Sequence, residues 1–213
     1  MHYVAIVGSN SKTSLNRRLA AAIAKRYGTE DVTIDVLTLN DLPMYNVDDE
    51  LTPAQVVIDF KQAVKAADGV IWVTPEYNHS IPGVLKNAID WLSRVDKVMI
   101  GKPSMIMGTT PGFLGTIHAQ LHLRDILFAM QSPVLMGNDV MVGGGHAKLD
   151  ADNNITDAGT NDWLDTVMPN FKALLLHINN RQKSRQQIGA DDFLISLIKH
   201  LNRLNNQRQS HQS

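Results

Sequence analysis

Residues 69–92 read GVIWVTPEYNHSIPGVLKNAIDWL, and this stretch decides the fold of the chain. Its first five residues, Gly69 to Val73, form a short apolar run that is typical of a buried strand. A polar, proline-bounded turn follows. Pro82 then marks the start of a helix, because the first helical N–H has no intrahelical partner to lose. A strand end, a polar turn and a helix start in succession are typical of the edge where parallel α/β sheets bind ligands.

Short apolar runs alternate with longer amphipathic stretches on both sides of this segment. The predicted strands are Tyr3 to Val7, Val32 to Leu39, Gly69 to Val73, Ser104 to Met107 and a stretch within Val134 to Val142. The predicted helices are Leu15 to Tyr27, Pro53 to Ala67, Pro82 to Ser93, Thr116 to Met130 and Trp163 to Ile178. Strands separated by helices of this length pair in parallel through right-handed crossovers. The pattern predicts an α/β, flavodoxin-like three-layer sandwich with a five-stranded parallel sheet, and a polar loop over residues 143–160.

The end of the chain has a different character. Residues 1–180 are predicted to form one domain, and residues 181–213 a C-terminal helical extension: a polar linker, an amphipathic helix and a frayed tail. Apolar residues at helical spacing give this helix one apolar face: Phe193, Leu194, Leu197, Ile198, Leu201 and Leu204. Packing on the body or on a sister subunit and docking of a partner protein both remain open.

Composition excludes several functional classes. The 213-residue chain has a formal net charge of −1, which gives no field favouring nucleic acid or an anionic membrane. No apolar stretch approaches the roughly 18 residues of a membrane span, and the N-terminus does not resemble a signal peptide. We therefore expect a cytoplasmic protein. The absence of cysteine excludes disulfides, thiolate metal sites and cysteine nucleophiles.

The loop after the first strand suits a phosphate group. Its polar residues before and at the helix start are Ser9, Ser11, Lys12, Ser14 and Asn16. Unpaired N–H groups and the helix dipole favour an anion at such a position. The alternative is an N-cap cluster in a tight turn, which the same short polar residues satisfy. The loop has neither G-x-G-x-x-G nor Walker A spacing, so a standard dinucleotide fold or an ATPase is not expected.

Two further loops suit a planar ring. The loop after the third strand consists of Pro75, Glu76, Tyr77 and Asn78. The loop after the fourth strand contains Thr109, which offers a hydroxyl, and Gly112, which allows close backbone approach. In a doubly wound sheet, the loops after strands one, three and four line one carboxyl edge. One loop for phosphate and two for a ring predict a mononucleotide ligand such as FMN.

On these residues the chain resembles the NADPH-dependent FMN reductase family, which includes flavin, quinone, azo-dye and chromate reductases. The resemblance spans Tyr3 to Ile178. It rests on Gly8-Ser9, Ser14, Asn16-Arg17, the long run from Thr74 to Arg94, Gly101-Lys102-Pro103, and Gly112, Gly115 and Ala119-Gln120. It implies an FMN-containing oxidoreductase that takes electrons from NADPH or NADH. The electrons would pass to a small-molecule acceptor such as a flavin, a quinone or an azo compound.

The resemblance also implies which residues hold the cofactor. It assigns Ser9, Ser14 and Asn16 to the FMN phosphate, residues 75–78 to the ring and ribityl side, and Thr109 to the ring edge. No catalytic acid, base or nucleophile is expected, because flavin itself carries out the hydride chemistry. The chain departs from the family at Ser11, where arginine is common, and Lys12 is expected to supply that charge as a point charge.

The resemblance further implies a homodimer or homotetramer with flavin near the subunit boundary. A flavoprotein that acts mainly as an electron carrier or interaction module is the alternative. His118 and His122 lie four residues apart on a predicted helix, which can present two metal ligands. The sequence offers no third ligand beside them, so no metal site is expected.

Overall fold

A computed structural model of the chain describes residues 1–181. Contacts divide the chain into two compact units, Met1–Leu175 and Leu176–Ser213, and the fold and site described below belong to the first. The amphipathic helix predicted over 193–204 lies outside the described residues, so that expectation and the predicted domain division stay predictions. None of the helices within residues 1–181 is both long and apolar enough to cross a bilayer.

Strands and helices alternate along the described chain. The strands are β1 (His2–Val7), β2 (Thr33–Leu37), β3 (Gly69–Val73), β4 (Ser104–Thr109) and β5 (Val140–Val142). The helices are α1 (Leu15–Tyr27), α2 (Gln55–Ala66), α3 (Gly83–Ser93), α4 (Ile117–Ala129), the short α5 (Gly145–Lys148) and α6 (158–181), with one 3-10 turn at Val47–Asp49. The bounds of α1 and β3 are those predicted from sequence.

The strands form one sheet in the order β2-β1-β3-β4-β5, with every neighbouring pair parallel. The chain leaves β1 to build β2 on one side and β3 on the other, so the strand order reverses between β1 and β3. The predicted flavodoxin-like sheet is confirmed. The gap between β1 and β3 is the switch point at which such sheets bind ligands, at their carboxyl edge.

Both faces of the sheet are buried, which explains why its central strands are apolar throughout. Alternate β1 residues Tyr3, Ala5 and Val7 join a core with α1 and α6, in which Phe171 is fully buried. Val4 and Ile6 point to the opposite core, formed with α2, α3 and α4. A helical layer on each side therefore leaves the strand ends as the accessible part of the sheet.

The region after β4 departs from the prediction. Val134 makes only an isolated bridge to Ser104, and β5 does not begin until Val140. Residues 143–160 were predicted to be a loop, which is wrong: they contain α5 and the first turn of α6. The start of α6 is fixed by Asp157, whose carboxylate accepts the N–H of Thr160 at 2.8 Å. Helix caps and loops are both rich in short polar residues, so composition could not distinguish the start of α6 from a loop.

Candidate functional site

Three loops meet at the carboxyl edge of the sheet: the first loop (residues 8–14), the second loop (74–81) and the third loop (110–116). In the first loop, the buried Ser9 Oγ accepts the N–H of Ser11 at 3.3 Å. Ser14 caps α1, and its Oγ accepts the N–H of Arg17 at 3.3 Å. Both hydroxyls act as acceptors in these bonds, so each still has an O–H to donate.

The start of α1 has free donors. In the described part of the chain, the backbone N–H groups of Lys12, Leu15 and Asn16 have no acceptor. Helix N-termini with such orphan N–H groups bind phosphate, since the helix dipole adds a favourable field. The residues of the first loop therefore fit an anionic group.

Arg17 is the cation most closely tied to the first loop. Its Nη2 donates to Asn40 Oδ1 at 3.1 Å, and Asn40 Nδ2 donates to the carbonyl of Asn10 at 3.1 Å. The Nε of Arg17 is buried and has no partner among the described residues. An unpaired buried donor is costly, and a bound anion would supply the missing acceptor. The sequence prediction assigned this charge to Lys12, which is exposed, and that assignment stays a prediction. Arg17 is a further candidate, which its position three residues after the Ser14 cap marks in the sequence.

Asn16 joins the first loop to β4. Its Nδ2 donates to the carbonyl of Thr109 and its Oδ1 accepts the Thr109 N–H, each at 2.9 Å. The side chain is 2% exposed, so this pair of bonds lies inside the protein. Both ends of the amide are therefore used in holding the start of α1 against the end of β4. The expected contact of Asn16 with phosphate stays a prediction, for which its free backbone N–H is the available donor.

The second loop contains a two-residue β-hairpin turn. Tyr77 and Ser80 exchange both backbone hydrogen bonds at 3.0 Å, while Asn78 and His79 have φ values of 51° and 59°. Positive φ at both central residues is the type I′ turn, which asparagine adopts with little strain. The turn holds Tyr77, Asn78 and His79 exposed at the sheet edge in one defined shape. That geometry suits contact with a flat ligand.

Glu76 connects the second loop to α4. Its Oε2 accepts the backbone N–H groups of His118 and Ala119 at 2.8 and 3.2 Å, and its Oε1 lies 3.0 Å from His118 Nδ1. Burial by itself raises the pKa of the Glu76 carboxyl, but these hydrogen bonds outweigh burial and hold the pKa below its ordinary value. Glu76 is thus an ionised cap for α4, and its predicted contact with a ring stays a prediction.

The third loop is fastened to the residues after β5. Gly144 N–H donates to the carbonyl of Gly112 at 2.8 Å, and Gly145 N–H donates to the carbonyl of Thr110 at 2.9 Å. A Cβ on Gly143 would lie 2.6 Å from the carbonyl oxygen of Phe113, so only glycine permits this approach. The three consecutive glycines 143–145 serve loop packing. Thr109 Oγ1 is buried without a partner in the described region, and its expected contact with a ring edge stays a prediction.

A fourth segment, after β2, is held beside the site by α3. Asn87 Nδ2 and Trp91 Nε1 both donate to the carbonyl of Pro43 at 2.9 Å, and Asn87 Oδ1 accepts the N–H of Tyr45 at 2.7 Å. Asn87 and Trp91, both in the motif KNAIDW, therefore have a structural role in holding Pro43 and Tyr45 of the loop after β2.

Comparisons with known proteins find similar sequences over most of the chain. The profile of the NADPH-dependent FMN reductase family matches residues 1–147. A 2-hydroxy-1,4-benzoquinone reductase from Burkholderia sp is 38% identical over 170 residues, which cover 79% of this chain and 92% of that protein. An NADH-dependent flavin reductase subunit 2 from Lactobacillus johnsonii is 38% identical, covering 80% and 95%.

A solved structure agrees with the sequence relatives. FerB, a flavoenzyme NAD(P)H:(acceptor) oxidoreductase from Paracoccus denitrificans, is similar with a TM-score of 0.74 and 30% identity. The similarity covers 84% of this chain and 97% of FerB.

Proposed function

Because this chain belongs to the NADPH-dependent FMN reductase family, we propose that it passes electrons from NADPH or NADH, through bound FMN, to a small-molecule acceptor. Quinones and free flavins are the acceptor classes named by its relatives. The observation that carries the proposal is the position of two features after the neighbouring strands β1 and β3. Free backbone N–H groups lie at the start of α1, which follows β1, and the exposed type I′ turn follows β3.

The chain's own residues bind and orient the cofactor. The phosphate would be held by the free N–H groups at the start of α1, the hydroxyls of Ser9, Ser11 and Ser14, and the guanidinium of Arg17. Residues 75–78 of the second loop and the backbone near Gly112 would contact the ring. When bound, FMN would supply the hydride chemistry.

Anaerobic reduction tests the function directly. The purified protein, loaded with FMN, is mixed with NADH or NADPH under nitrogen, and flavin absorbance is followed before and after addition of a benzoquinone. We expect rapid bleaching followed by rapid return of the oxidised spectrum. The proposal would be contradicted if the protein failed to bind FMN. It would also be contradicted if NADH and NADPH both reduced the protein-bound flavin more slowly than they reduce free FMN.

Arg17 is expected to contribute more to FMN affinity than Lys12. Arg17→Gln removes a partly buried charge with a free Nε, so we expect the dissociation constant to rise at least about tenfold, as for loss of a charge-assisted hydrogen bond. Lys12→Gln removes an exposed point charge and should change it less than about threefold. Fluorescence titration of FMN into the stripped protein measures both.

Arg26→Gln is the matched control for this comparison. Arg26 lies on the same helix and pairs with Asp165 at 2.7 Å on an exposed surface, nine residues and about 13 Å along the helix from Arg17. The same change of charge at that distance should leave FMN affinity unchanged. Equal losses for Arg17→Gln and Arg26→Gln would remove Arg17 from the proposed phosphate site.

We further propose that the chain assembles as a homodimer through α4. Leu121 and Phe128, seven residues apart on one side of this helix, are 54% and 84% exposed. A cleft of about 400 Å³ between α3 and α4 is lined by apolar residues, including Ile89, Ile126 and Met130, and by the four charged residues Lys86, Asp90, Arg94 and Lys97. Sedimentation equilibrium should give a dimer for the full chain and a monomer for Phe128→Asp. A monomeric full chain would exclude this assembly.

The cytoplasmic location inferred from sequence stays a prediction.

A further inference from the structure

Two histidines and a carboxylate meet where the second loop contacts α4. One ligand atom each from Glu76, His79 and His118 lies within 4.8 Å of the other two. The rings of His79 and His118 stack with centroids 4.2 Å apart and planes 21° apart. The sequence considered His118 together with His122, but the structure places His122 Nδ1 at 3.0 Å from Ser80 Oγ and gives His118 different neighbours.

The spacing within this cluster suits a metal ion. Zinc binds nitrogen and oxygen ligands in a tetrahedron at about 2.0 to 2.2 Å, so two ligands of one ion lie about 3.3 to 3.6 Å apart. Glu76 Oε1 and His118 Nδ1 are 3.0 Å apart and hydrogen-bonded, so a shift of a few tenths of an ångström would bring them to that separation. His79 is exposed, so its ring can turn to bring a nitrogen to the same ion at the cost of a rotamer change.

The ligands are also held in position by their surroundings. Glu76 Oε2 accepts two backbone N–H groups at the start of α4, which fixes the carboxylate and leaves Oε1 to face His118. Carboxylate ligands of metal ions are typically supported by such additional hydrogen bonds. The backbone of His79 is fixed by the type I′ turn, and the backbone of His118 by the first turn of α4.

We propose that Glu76, His79 and His118 form a binding site for a divalent transition-metal ion of the zinc class, with water in the remaining coordination positions. Two imidazoles and one carboxylate suit zinc and its neighbours better than calcium or magnesium, which prefer oxygen ligands. The bound ion clamps the second loop to α4. This site is separate from the proposed phosphate site, but it shares the second loop and Glu76 with the proposed ring contact.

Zinc titration of the full chain tests the site. The protein, without a polyhistidine tag and with its FMN content measured, is treated with a chelator, desalted and titrated calorimetrically with zinc. Cobalt is the spectroscopic probe, because its visible bands report on ligand number. We expect one ion per chain, and a dissociation constant raised at least about tenfold by His79→Asn or by His118→Gln. Asparagine is chosen at 79 because it tolerates the positive φ of this position.

His122→Gln is the control, since it removes an imidazole from the same face of α4 without touching the cluster. It should leave the stoichiometry and affinity unchanged. Unchanged zinc affinity in both His79→Asn and His118→Gln, with unfolding temperatures equal to the parent's, would overturn the proposal. Absence of a one-to-one site in the parent would overturn it as well, and would leave the contact between the two rings as simple stacking.

Discussion

Replacing Asn16 with leucine is expected to lower the free energy of unfolding by about 2 to 4 kcal/mol and to prevent stable FMN binding. The leucine leaves the N–H and carbonyl of Thr109 without partners, and each unsatisfied buried group costs about 1 to 3 kcal/mol. These are the two 2.9 Å bonds that hold the first loop against β4. Urea denaturation measures the stability loss, and retention of FMN through gel filtration measures binding.

Asn170→Leu provides the matched control for Asn16→Leu. Asn170 is an exposed helical asparagine whose Nδ2 donates to Asn138 Oδ1 at 2.8 Å on the surface. Its replacement should change stability by no more than about 0.5 kcal/mol, as surface substitutions usually do. If Asn16→Leu were as mild as Asn170→Leu, the bridge between Asn16 and Thr109 would not be holding the site together.

Gly108→Ala is expected to destabilise the protein by about 3 kcal/mol or more, which corresponds to a fall of roughly 10 °C in Tm for a chain of this size. A Cβ at this position would lie 2.4 Å from the carbonyl oxygen of Thr74 and 2.0 Å from Thr116 Oγ1. Both contacts are far inside van der Waals distance, and the Thr74 oxygen belongs to backbone. The ends of β3 and β4 must therefore move apart, and the second and third loops with them.

Gly83→Ala separates this steric effect from the general effect of replacing glycine. Gly83 is the first residue of α3, and a Cβ there would meet nothing within 4 Å. Alanine in a helix is favoured over glycine, so stability should stay the same or rise by up to about 1 kcal/mol. Differential scanning calorimetry of both variants measures the contrast. If the Gly108→Ala protein were as stable as the Gly83→Ala protein, the ends of β3 and β4 could move apart without a loss of stability.

The contacts that make the site join distant parts of the chain. Asn16 and Thr109 are 93 positions apart in sequence, and Glu76 and His118 are 42 apart. An asparagine near a helix start and a glutamate after a strand are ordinary in sequence, and each was assigned to the ligand. In the structure the Asn16 side chain bonds to Thr109 and the Glu76 side chain to the start of α4. The assignment of these residues and of Lys12 to the ligand stays a prediction.

The sequence by itself determined the parallel sheet and the limits of most helices, and it predicted which edge of the sheet binds the ligand. The period of the apolar residues, the positions of prolines and the helix caps each involve residues close together in sequence, so they can be recognised in a short stretch of sequence. Tertiary structure alone decided which distant residues contact each other: Asn16 with Thr109, the glycines 143–145 with the third loop, and Glu76 with two histidines. These pairings depend on strand order and register, which place residues side by side that no local pattern relates.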